Sequence, residues 1–206
     1  MATLKSLSQF KSKLIGGGAR PNLFEVQLPS IPGGIDLGIQ GDGTGVYDSE
    51  NFTFLCKAAA LPASTINPIE VPFRGRTLKV AGDRTFDVWT ITVINDEAFD
   101  HRRVFESWMQ NVNQYSDHSG ITNPNDYMTD ATVLQLGRAS IGRETGTGTG
   151  GNANVLAQYK FKDIFPTSIS AIDLSYENTD TIEEFTVEFQ VQFWYPERAG
   201  TNVAQG

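Results

Sequence analysis

Few residues in this chain can do covalent or metal chemistry, and their spacing does not gather them. There are two histidines and one cysteine. His101 falls among charged neighbours on an expected helix, where it reads as solvated, and His118 falls in a polar loop. Neither has a second His or a Cys at the spacing that metal ligation needs. Cys56 lies between Phe54 and Ala58, the setting of a small core residue and not of a nucleophile. No nucleophile elbow is present. Asp96 and Glu97 are adjacent carboxylates, but acid at the start of a helix needs no catalytic explanation. The Asp42-x-Thr44 spacing lacks the regular ligand series, ending in a bidentate Glu, that holds calcium in an EF-hand loop. The glycines from Gly146 to Gly151 are followed by no Lys-Ser or Lys-Thr and open no strand-to-helix junction, so they do not form a phosphate cradle. The reading therefore nominates no catalytic residue, no metal ligand and no cofactor.

Composition narrows the remaining classes. The 206 residues suffice for one large β domain, and 39% hydrophobic with 11% aromatic content supports a sizeable core. Twenty Gly and nine Pro suit many turns. The formal net charge is -8, the wrong sign for a protein that grips nucleic acid by its phosphates. The basic residues that lie close together are Arg74, Arg76 and Lys79, with Arg102 and Arg103 on the helix. A single cysteine allows no intrachain disulfide and suits a reducing cytoplasm. No apolar run approaches a membrane span, no direct membrane binding is expected, and residues 1–15 lack the apolar region and cleavage site of a signal peptide.

The elements available to position anything are mostly strands. Thr77 to Val80 is short and β-prone, and Gly82-Asp83 is a turn signal. From Phe86 to Ile94, Trp89, Ile91 and Val93 alternate with Thr90 and Thr92, the two-residue period of a half-buried strand. Asn95 then reads as the cap of a helix with Asp96 and Glu97 in its first turn. Phe99 (or Ala98), Phe105, Trp108, Met109 and Val112 give that helix an apolar stripe. Further strands are expected at Asn22–Leu28, Phe52–Leu61, Ala131–Arg138, Val155–Ile164 (bounded by Pro166) and Ile169–Tyr176. The segment Ile66–Phe73 is extended but holds Pro68 and Pro72, so it reads as an edge or a projecting arm. Glu184 to Tyr195 alternates most clearly: Phe185, Val187, Phe189, Val191, Phe193 and Tyr195 lie on one face, Glu184, Thr186, Glu188, Gln190 and Gln192 on the other. A one-residue slip there would expose every aromatic, so its register is fixed. Leu4, Leu7, Phe10 and Leu14 suggest a weak amphipathic helix, broken at Gly16.

A set of segments carries a resemblance. Arg20-Pro-Asn-Leu-Phe24, Phe52-Thr-Phe-Leu-Cys-Lys57 with Leu61-Pro62, and Val80-Ala-Gly-Asp-Arg-Thr-Phe86 followed by Trp89 and Asn95-Asp-Glu97 belong to it. So do Phe165-Pro-Thr167 and the strand Phe185 to Tyr195. Together they resemble the tail tube proteins of contractile-tailed, T-even-like bacteriophages, over most of the chain from Arg20 to Tyr195. The resemblance implies a mainly β, α+β fold of two packed antiparallel sheets, a sandwich or partial barrel with one flanking helix. It also implies homohexameric rings whose inner sheets merge around a channel. The rings stack into a tube inside a contractile sheath, with sheath, baseplate and tail terminator proteins as partners, and DNA passes through the lumen without tight binding. Residues 1–19 would be an arm, 20–196 the tube domain and 197–206 a tail. Ser30–Asn51 and Gly142–Asn154 are longer than the family pattern. A bacteriocin or type VI secretion tube shares the architecture, and a carbohydrate-binding or hydrolytic β-sandwich is the alternative of a different class.

Two surfaces follow as expectations. Leu61, Pro62, Ile66, Ile69, Pro72 and Phe73 are apolar yet have no sheet register of their own, so they are expected to pack on an adjacent subunit. Glu188, Gln190 and Gln192, with Thr90 and Thr92 as weaker members, are expected to face the lumen.

Overall fold

The computed structural model describes residues 6–14, 18–32, 47–137, 155–177 and 179–197. Its centre is the pairing of two alternating strands. In β5 (Trp89–Ile94), Trp89, Ile91 and Val93 are buried, and Thr90, Thr92 and Ile94 are partly covered. In β8 (Glu184–Gln190), Phe185, Val187 and Phe189 are buried. The two run antiparallel with Trp89 opposite Phe189, Ile91 opposite Val187 and Val93 opposite Phe185. Matching the two apolar faces fixes the register. On the far side of β5 lies β2 (Cys56–Ala59), which follows helix α2 (Ser49–Leu55). On the far side of β8 lies the second half of β7 (Val155–Ile169).

The first half of β7 belongs to another layer. It pairs with β6 (Thr129–Leu136) on one side and β9 (Phe193–Glu197) on the other, and β6 pairs in turn with β1 (Phe24–Gln27). Two antiparallel layers, β1-β6-β7-β9 and β2-β5-β8-β7, thus share one strand. The connected path is β1-β6-β7-β8-β5-β2, with β9 branching from β7. Among the described residues β1 and β2 end that path without pairing with each other, so no barrel closes there. The layers meet where Trp89 stacks on Phe161, with ring centroids 4.5 Å apart. Val26, Val133 and Phe161 from one layer join Ile91, Val187 and Phe189 from the other in a single core.

Helix α3 (Asp100–Val112) closes that core. Its Phe105 meets the rings of Phe185 and Phe189 edge-on, and Trp108 lies 6.1 Å from Phe189. The Trp108 Nε1–H donates to the Tyr127 carbonyl at 2.7 Å, in the single turn α4 (Pro124–Tyr127). Each such aromatic, fully buried, stabilises the fold by about 1.5–3 kcal/mol. The expected pair of packed sheets with a flanking helix is what the chain forms.

Several boundaries differ from the sequence reading, each for a physical reason. Phe52 to Leu55 is helix, not strand: Asp48 caps α2 by accepting from the amides of Glu50 and Asn51. Positions two apart lie on opposite sides of a helix, so Phe52 is buried and Phe54 is exposed. Helix α3 starts later than Asn95. Asn95 is buried and its side chain donates to Glu183 at 3.0 Å, while the Asp96 carboxylate accepts from the amides of Asp100 and His101. Phe99 takes a left-handed conformation, φ 60°, and stays exposed, so His101, Val104, Phe105 and Trp108 form the buried stripe. His101 is not solvated; its fractional exposure is 3%.

Gly82-Asp83 is no turn. Strand β4 (Arg76–Phe86) runs straight through it, because Gly82 admits the carbonyl of Asn67 at the bulge between Ile66 and Pro68. Pro166 does not end β7; it sits buried at a second bulge opposite Phe189, the position where a sheet tolerates Pro. Residues 170–176 are not a strand, and Leu174 and Tyr176 are exposed. The final alternating run is two strands: it breaks at Val191-Gln192, after which β9 joins the other layer and Phe193 is 38% exposed. Helix α1 (Leu7–Lys13) is present, with a Ser6–Gln9 capping box and Leu7, Phe10 and Leu14 all exposed. The glycines at 142–151, most of the 30–51 segment and the tail beyond Glu197 lie outside the described residues.

Candidate functional site

The first surface is a hairpin. Among the described residues strand β3 (Ser64–Phe73) pairs with β4 alone, and all ten of its residues are exposed. Its turn is Arg74-Gly75, both with positive φ (46° and 79°), which matches the twist of the flanking strands. The Arg74 guanidinium lies over the Phe73 ring, 5.3 Å from its centroid. Ile69, Phe73 and Leu78 are 56%, 67% and 62% exposed, and Leu61, Ile66 and Pro72 are exposed with them. Pro62 differs: it is buried in its own subunit, so it belongs to the root of the arm and not to its surface. A two-stranded hairpin without a core is marginal in water, and this one presents apolar side chains along its length.

The second surface is the outer face of the layer β2-β5-β8-β7. Glu188 is exposed there and pairs across the sheet with Thr90 and Ser168. Thr92 faces Thr186, their hydroxyls 3.4 Å apart. Gln190 stands at the end of β8, half-buried. Gln192 lies beyond the strand, exposed, with its backbone N–H donating to the Lys162 carbonyl at 3.3 Å. The structure therefore groups Glu188 with Thr90 and Thr92, and sets Gln192 apart. Helix α3 and the other layer cover the opposite face, through Phe185, Val187 and Phe189. The paired strands β5 and β8 carry no Lys or Arg. At the margin, Lys57 forms an ion pair with Glu184. Among the described residues this layer is open at both sides: β2 pairs only with β5, and residues 165–169 pair only with β8.

Reactive groups are placed away from both surfaces. Burial pushes the Cys56 thiol up to about 12, so it stays protonated and unreactive. Burial also lowers the His101 imidazole, against the pull of Asp96, Asp100 and Asp48, and leaves it neutral among the rings of Tyr47 and Phe52. The Lys160 and Lys162 ammoniums are raised by hydrogen bonds to Glu197 and Asp130. Among the described residues no three His, Cys, Asp or Glu side chains gather as a metal site, and no helix is long and apolar enough to cross a membrane. Sequence reasoning missed the open edges of the polar layer, since pairing partners are not written in any one strand.

Comparison with known proteins places the whole folded region. The family model described as phage tail tube protein matches residues 19–197. The tail tube protein gp19 of Enterobacteria phage T4 is 33% identical over 179 residues, covering 87% of this chain and 92% of that protein. A tail tube protein of Serratia phage KSP90 is 27% identical over 63% of this chain and 66% of its own length. Among solved structures, the fold is similar to a chain of the PVC sheath-tube complex in its extended state, an extracellular contractile injection system (TM-score 0.55, 13% identity, 94% of this chain and 99% of that one). It is also similar to a chain of the 6-fold symmetrised anti-feeding prophage baseplate (TM-score 0.56, 10% identity, 89% and 98%). The apolar hairpin, the open-edged polar layer and this match over nearly the whole folded region lead to one assignment: the chain belongs to the phage tail tube protein family.

Proposed function

We propose that this protein is the structural subunit of a phage tail tube, without catalytic activity of its own. Six copies form a ring, and rings stack head to tail into a hollow tube inside a contractile sheath that conducts the genome into the host. The tube is assembled in the host cytoplasm, becomes part of the virion, and contacts sheath, baseplate and tail terminator proteins. The observation that carries this reading is a polar sheet face whose two central strands, β5 and β8, carry no Lys or Arg, with Lys57 at its margin held by Glu184, in a layer whose two sides are open among the described residues. Unpaired edges are a liability in a monomer and natural joints in a ring. Joined edge to edge, these layers make a continuous wall with Glu188, Thr90, Thr92 and Gln190 toward the channel, and Gln192 at its margin. Each basic contact to phosphate would add affinity by counterion release, and many rings would multiply the drag. An acidic or neutral wall avoids that and keeps the polymer centred by repulsion. The hairpin residues Ile66, Ile69, Pro72 and Phe73, with Leu61, pack on a neighbouring subunit. The fold likeness to injection-system chains favours a second reading, in which the same tube carries protein cargo.

The test of the channel wall is Glu188→Lys with Gln190→Lys in tubes that still assemble. The doubly substituted tubes should retain DNA and slow genome delivery. Normal delivery, with tubes seen by microscopy, would place that face elsewhere.

A further inference from the structure

Resting on the tube reading, a second exposed apolar surface lies at the other end of β5 from the hairpin. The hairpin leaves the body where β5 begins: Ser64 pairs with Phe86, and the Asp87 amide donates to the Ala63 carbonyl. The connection from β7 to β8 (residues 170–183) leaves where β5 ends: Ile94 pairs with Glu184, and the Asn95 amide donates to the Glu183 carbonyl. This connection holds Leu174 (80% exposed), Tyr176 and Ile182 on its surface. Its charge is of one sign. Residues 171–184 include five acidic side chains and no basic one. Glu183 and Glu184 are engaged by Asn95 and Lys57. Asp173, Glu177 and Asp180 are exposed and form no ion pair among the described residues. The hairpin has the opposite balance, with four basic and two acidic residues over 64–86. Of these, Lys79 is paired with Glu70, and Arg74 and Arg76 form no ion pair among the described residues.

We propose that the acidic apolar connection of one copy receives the basic apolar hairpin tip of the next copy along the stack. The two surfaces are complementary in charge and alike in exposed apolar character, and they sit at opposite ends of one strand. A repeat along that strand direction brings them together as a heterologous contact, which extends instead of closing. Burial of Phe73 against Leu174 and Tyr176 supplies the apolar part of the contact. The opposed charges fix which end meets which and speed encounter.

The experiment is a charge exchange in the full-length protein. Arg74→Glu with Arg76→Glu forms one variant, Asp173→Arg with Asp180→Arg a second, and all four substitutions a third. Tube formation is followed by sedimentation and electron microscopy, and thermal melting verifies that each soluble variant is folded. Each single-side variant should raise the critical concentration for tubes by about tenfold or more, since the contact recurs in every ring. The four-fold variant should recover most of that loss. If either single-side variant forms tubes like the parent, or if the four-fold variant is no better than the single-side variants, the contact is wrong although the tube reading stands. Failure of the parent itself to form rings or tubes overturns the tube reading, and this contact with it.

Discussion

His101 shows what a single side chain can hide. Its neighbours Asp100, Arg102 and Arg103 are charged, and neighbours in sequence suggested solvent. Helical spacing is the better guide: His101, Val104, Phe105 and Trp108 share one face, and all four are buried. The imidazole is neutral there, and both ring nitrogens lack a hydrogen-bond partner among the described residues. Because burial holds it below its ordinary value of 6.5, the unfolded chain takes up a proton that the folded chain refuses. Stability is therefore fully present above pH 6.5 and is lost as pH falls below it, by at most about 1.4 kcal/mol per pH unit from this one group. Melting of the monomer followed between neutral and mildly acidic pH should show this slope. His101→Phe, which keeps a ring against Tyr47 and Phe52, should flatten it; an unchanged slope would assign the acid sensitivity to other groups.

Elements were legible where one periodicity acted alone. β5 and β8 alternate without interruption, and both appear with the expected faces inward. Where two periods fit, the reading failed: Phe52 and Phe54 suit a strand, but the Asp48 cap and the following residues make a helix. Local turn chemistry also misled at Gly82-Asp83, since the need for glycine there comes from another strand. A Cβ at Gly82 would lie 2.4 Å from the Asn67 carbonyl oxygen, a clash with backbone that nothing flexible can relieve. Gly82→Ala should thus strain the hairpin by about 1–3 kcal/mol, enough to disorder a ladder with no core beneath it. Amide exchange should rise across β3 and β4, tubes should fail, and the melting transition of the body should move little. A shift of the main transition would show that the hairpin and the core unfold as one.

At the scale of the whole molecule, the sequence carried the layers and the helix but not their closure. Two packed sheets followed from the alternating strands, whereas the sharing of β7 between them depends on which strands find each other across the chain. Pro166 looked like an end because its neighbours in space, Phe189 and the bulge around it, are distant in sequence. The body of the subunit buries its aromatics within one core, and the hairpin stands outside it. Its backbone pairing is therefore only as stable as an isolated ladder until a neighbour covers it. Hydrogen exchange should find residues 64–86 open in monomers and protected in tubes, with β5 and β8 protected in both. Equal exchange of the hairpin in the two states would count against its burial between subunits.

The same topology sets an order of events in time. Hairpin pairing joins close positions such as Phe73 and Arg76, and such ladders form in about 1–10 μs. The body must bring Phe24 to Gln135 and Trp89 to Phe189 before either layer exists, and distant pairings of that kind slow folding by orders of magnitude. A newly made chain thus samples its adhesive hairpin early, keeping it only on contact with a neighbour, and forms the surfaces that receive it late. Growth of a tube then has a built-in delay: only chains that have completed the slow, long-range step offer a place for the next one to land.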